Sequence, residues 1–67
     1  MITEIGIVAG EIWHLLEKKT STPVDTIVDN LKRNRDLVLM SLGWLAREGH
    51  VTLLPTDRGL VATLNKR

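Results

Sequence analysis

Asp25 and Asp29 stand four residues apart, a spacing that sets two carboxylates on one side of a helix, where a general acid and base would have to sit. No histidine or nucleophile lies near them in sequence, so a solvated helix face is the expectation. His14 and His50 are far apart and have no companions at ligand spacing, which speaks against a metal site. The chain has no cysteine, and this excludes disulfides, zinc ribbons, iron–sulfur sites and thiol nucleophiles. Gly6-Ile7-Val8-Ala9-Gly10 lacks the spacing of a phosphate-binding loop. The expectation is therefore a non-enzymatic protein with no catalytic residue, no cofactor, no metal and no small-molecule ligand.

One cluster does carry a recognisable chemistry. Lys32-Arg33-Asn34-Arg35 is the only dense run of basic residues, and such side chains contact nucleic-acid phosphates. Arg58 in a later loop and Lys66 and Arg67 at the end of the chain extend the set. Together they make duplex DNA a candidate partner, although phosphate contacts position a protein without specifying sequence. Asp36 and Asp57 partly cancel the cluster, and a net charge of +1 leaves little overall attraction for a polyanion. Trp13 and Trp44 are the only aromatic residues, too few for a platform that stacks single-stranded bases.

The elements that position these groups follow from periodicity. From Thr3 to about Lys19, residues Ile5, Val8, Ala9, Ile12, Leu15 and Leu16 share one arc of a helix. Gly6 and Gly10 leave a bare strip beside it, which suggests the close approach of another backbone, from this chain or a second one. Thr20-Ser21-Thr22-Pro23 reads as a polar break, with Thr22 as N-cap, Pro23 at the first helical position and Asp25 in a capping box. The second helix places Val24, Ile27, Val28 and Leu31 inward. Asn34 caps a third helix that runs to about Glu48 and stops at Gly49. Val51 to Leu54 and Leu60 to Leu64 then flank Pro55-Thr56-Asp57-Arg58-Gly59, a β-hairpin with a five-residue loop.

Helix, helix, turn, helix and hairpin is the order of a winged helix-turn-helix: a mainly helical α+β fold with three helices followed by a wing. A single domain spans residues 1–67. With 43% hydrophobic and 25% charged residues the composition is globular, and no apolar run or N-terminal signal pattern points to a membrane. The expected location is the cytoplasm. Short spacings such as Val38, Leu42, Leu45, Gly49 and Val51 are generic to this fold. More specific are Ile5-Gly6, Ala9-Gly10 and Ile12-Trp13, taken with Gly43-Trp44-Leu45-Ala46-Arg47-Glu48. These resemble a family of short stand-alone winged helices of bacteria and archaea that has no assigned activity. The resemblance covers nearly the whole chain and implies the fold and a homodimer; it carries over no catalytic or ligand residue. The chain departs from the family at Thr20-Ser21-Thr22 and at the loop from Pro55 to Gly59.

The third helix bears most directly on function. A helix that reads DNA turns polar side chains towards base edges in the major groove. Here Val38, Ser41, Leu42 and Leu45 form the inward stripe, yet Leu37, Leu39, Met40, Gly43 and Trp44 fall outside it. A helix apolar almost all round is a buried one. A chain of 67 residues, burying only about 60% of its unfolded surface, is short of cover for it. These five residues are the expected homodimer interface, on a self-complementary patch around a two-fold axis. Lys32, Arg33, Arg35 and Arg58 are the expected phosphate contacts if the partner is DNA. Core packing in a monomer is the simplest role for Trp13 and Trp44 taken singly.

Overall fold

A computed structural model describes residues 2–65. In chain order its elements are α1 (Ile2–Lys19), β1 (Ser21–Pro23), α2 (Val24–Leu31), α3 (Arg35–Arg47), β2 (Val51–Thr56) and β3 (Gly59–Leu64). The three strands form one antiparallel sheet in the order β1-β3-β2, with β3 between two edges. This is the expected winged helix-turn-helix with one strand added.

Each helix buries the face that its periodicity predicts. Val8, Ala9, Ile12 and Leu16 of α1, Val24 and Ile27 of α2, and Val38, Leu42 and Leu45 of α3 meet Val51 and Ala62 of the sheet in one core. The α3 N-terminus is closed as expected: Asn34 Oδ1 accepts from the N–H of Asp36 at 2.8 Å and of Leu37 at 3.3 Å. Two of the backbone donors that a helix leaves unpaired at its start are thereby satisfied. At its other end Gly49 takes φ 81°, a conformation that suits glycine, and the His50 N–H donates back to the Leu45 carbonyl at 3.0 Å.

The sequence expectation fails at the start of α2. Pro23, not Thr22, is the N-cap, and no side chain caps the helix. Thr22 instead pairs with Ala62 across the sheet and is buried, with no hydrogen-bond partner for its Oγ1 among the described residues. The strand pairing accounts for the difference, since alternation along β1 sends Thr22 inward while Ser21 and Pro23 face out. Ser21 also bonds Thr63 of β3 through their hydroxyls at 2.8 Å, so the supposed polar break is an edge strand.

The wing is tighter than expected as well. Pro55, Thr56 and Gly59 belong to the strands, leaving Asp57 and Arg58 as a two-residue turn. The Thr56 hydroxyl holds it, accepting from the Arg58 N–H at 3.2 Å and donating to the Gly59 carbonyl at 2.7 Å. Gly59, at φ 107°, supplies the backbone freedom that such a return needs. Pro55 is tolerated because β2 is an edge strand.

Candidate functional site

The outward side of α3 is the first candidate. Met40 is 41% exposed and Trp44 48% exposed, and Gly43 lies beside them with nothing within 4 Å of where a Cβ would be. Leu37 and Leu39, expected on the same surface, are half-buried and packed against the core. The five residues therefore divide into an exposed crest of Met40, Gly43 and Trp44 and two shoulders that tie it to the interior. Asp36 and Arg47 lie exposed towards the two ends of the crest. Trp44 is no core residue. Trp13 is half-buried and sits against His50, with ring centroids 4.6 Å apart.

The basic turn is the second candidate, and here the structure adds partners that the sequence did not disclose. Arg33 grips Glu11 of α1 with both ends of its guanidinium, Nε donating to Oε1 at 3.0 Å and Nη2 to Oε2 at 2.7 Å. The bidentate hydrogen bonds hold the Glu11 carboxyl below the usual carboxylate range and raise Arg33 in turn. Arg35, the first residue of α3, pairs with Asp25 in the first turn of α2. Lys32 is the left-handed C-cap of α2, at φ 53°, and its side chain is exposed. Arg58 is exposed at the tip of the wing. Lys66 and Arg67 lie outside the described residues.

Two of the four expected phosphate contacts are thus already engaged with carboxylates. Glu11 lies outside the apolar arc of α1, and nothing local in the sequence marks a partner 22 positions away. Asp25 stands out in the sequence for its spacing from Asp29 and as the acid of a capping box, whereas in the structure it pairs with Arg35.

Elsewhere, an open groove of about 430 Å³ between α1 and α2 is lined by Glu11, His14, Leu15, Lys18, Asn30 and Leu31. Its rim includes the carboxylate that Arg33 already holds. Among the described residues no group of three or more His, Cys, Asp or Glu side chains is placed to hold a metal ion. No helix among them is long and apolar enough to cross a membrane. Gly6 and Gly10 face open space, so no backbone among the described residues fills the strip that they leave.

Three comparisons place this geometry among known proteins. A family model described as a winged helix-turn-helix domain (DUF2582) matches residues 1–64. An uncharacterised protein of the archaeon Methanocaldococcus jannaschii is 38% identical over 63 residues, covering 91% of this chain and 90% of its own. The solution NMR structure of a Bacteroides thetaiotaomicron protein superposes with a TM-score of 0.81. At 21% identity, over 92% of this chain and 76% of that one, the likeness speaks to the fold.

Proposed function

The chain belongs to this winged helix-turn-helix family, and from that premise we propose that it is a non-enzymatic interaction module that self-associates through the outer face of α3. The observation that carries the proposal is the crest itself. Met40 and Trp44 stand exposed around an open Gly43 on the helix where a DNA-reading relative would present polar side chains. A glycine contacts no base edge, but it lets another helix approach closely. Leu37 and Leu39 pack against the core, so the helix that carries the crest is already in place when a partner arrives. Sedimentation equilibrium at micromolar concentration tests the proposal: the wild type is a dimer and Met40→Glu is a folded monomer. A monomeric wild type, or a Met40→Glu protein of unchanged mass, counts against it.

A second reading, duplex DNA bound through Lys32, Arg33, Arg35 and Arg58, draws support from the exposure of all four side chains. The pairs with Glu11 and Asp25 weigh against it, because each arginine would have to exchange a carboxylate for a phosphate. Titration of a labelled random-sequence duplex at two salt concentrations separates the readings. Self-association alone predicts no salt-sensitive binding, whereas a DNA-binding domain loses affinity steeply as salt rises.

A further inference from the structure

The crest has an internal symmetry that specifies how a second copy would fit. At about 100° per residue, Asp36, Met40, Gly43 and Arg47 fall within an arc of about 60° on the outer side of α3. All four are exposed. They form a stripe roughly 16 Å long at about 1.5 Å rise per residue. A large flexible side chain and a bare backbone occupy its middle, and an acid and a base occupy its ends. Met40 and Gly43 are equidistant from the midpoint between Ser41 and Leu42, and so are Asp36 and Arg47. A stripe so arranged is complementary to itself when reversed.

Resting on the reading that this face self-associates, we infer that α3 pairs antiparallel with α3 of a second copy about a two-fold axis level with that midpoint. Met40 then lies over Gly43 of the second copy, filling the open space there. Asp36 faces Arg47 of the second copy, and symmetry repeats both contacts. Within the chain neither the Asp36 carboxylate nor the Arg47 guanidinium has a recorded ion-pair partner among the described residues, unlike the arginines of the basic turn. A parallel pairing would set Asp36 against Asp36 and Arg47 against Arg47, which like-charge repulsion opposes. An antiparallel pairing slid by one turn would stack Met40 on Met40 or Gly43 on Gly43 and leave the end charges unmatched. Only one register satisfies the shape and the charges together. The same axis brings both Trp44 side chains to one rim of the seam and both Leu39 side chains to the other.

Charge reversal on the full-length chain, followed by sedimentation equilibrium, tests the register. Asp36→Arg and Arg47→Asp should each weaken the dimer at least about tenfold, since each creates two like-charge contacts. The combined reversal should recover wild-type association to within about threefold. A Cβ at Gly43 finds nothing within 4 Å among the described residues, so Gly43→Leu should keep the wild-type circular dichroism while losing the dimer. Suppose instead that Met40→Glu dissociates the dimer while the single reversals leave it unchanged or the double reversal fails to rescue it. The antiparallel register is then overturned, and the α3 interface stands. A wild type that stays monomeric, or a dimer indifferent to Met40→Glu, overturns the interface and the register with it.

Discussion

The outer face of α3 and the basic turn before it are neighbours in sequence, yet they treat their surface groups in opposite ways. In the turn, Arg33 and Arg35 find carboxylates within their own chain, Glu11 and Asp25, so the run of positive charge is largely spent inside the monomer. On the helix, Met40 and Trp44 remain uncovered, and Asp36 and Arg47 at the ends of the stripe have no recorded ion-pair partner among the described residues. A satisfied cluster is a poor docking surface because a partner must first break what is already made. An unsatisfied one gains from the first contact. A dense basic run is therefore weaker evidence of a nucleic-acid partner than its composition suggests, until the residues facing it are known.

Substitutions distinguish the two regions. The largest effect is expected where α3 turns from crest to core. Leu42→Ala removes a fully buried side chain and should cost about 3 kcal/mol in urea unfolding, whereas Met40→Ala should cost about 0.5 kcal/mol under monomeric conditions. Equal costs would mean that Met40 is packed within its own chain. A smaller effect is expected at the turn. Glu11→Gln combined with Asp25→Asn frees two arginines and should create salt-sensitive duplex binding with a log–log slope steeper by roughly two phosphates than the wild type. An unchanged slope would show that the carboxylates are not what restrains those arginines.

The smallest effect concerns pH. The Glu11 carboxyl is held low by Arg33, so its pairing is fully stabilising above the ordinary carboxylate range and is lost as pH falls through the depressed value. The difference in melting temperature between wild type and Glu11→Gln should be full at neutral pH, begin to shrink as pH falls through the ordinary carboxylate range of about 4.3, and vanish only below the depressed value. A difference that persists in acid would assign Glu11 a role other than the Arg33 pair.

Much of this molecule was legible in the residues. Helical periodicity identified the buried faces of α1, α2 and α3, and Asn34 and Gly49 marked the ends of the third helix, because these signals are local and helices are governed by local spacing. β1 was not legible. Three polar residues before a proline carry no strand signal of their own, and it is β3, some 40 positions later, that turns Ser21–Pro23 into an edge. Thr22 was accordingly assigned to a cap when its side chain belongs to the core. The sequence suggests too long a turn for the wing because Pro55 and Gly59 are ordinary loop residues, and only an edge position and a positive φ admit them to strands. At the candidate site, the surplus of apolar residues on α3 was visible from spacing alone. Its division into crest and shoulders depends on what the helix packs against. The partners of Arg33 and Arg35 depend on the tertiary fold.

On the proposed reading, the exposed face of α3 is where this chain meets its own copy. The most direct test is the molar mass by sedimentation equilibrium across micromolar concentrations, for the wild type and Met40→Glu side by side. The prediction is twice the 7.5 kDa chain mass for the wild type and the single-chain mass for the folded variant. A wild type that sediments as a single chain throughout, or a variant that stays paired, would mean that copies do not meet through α3.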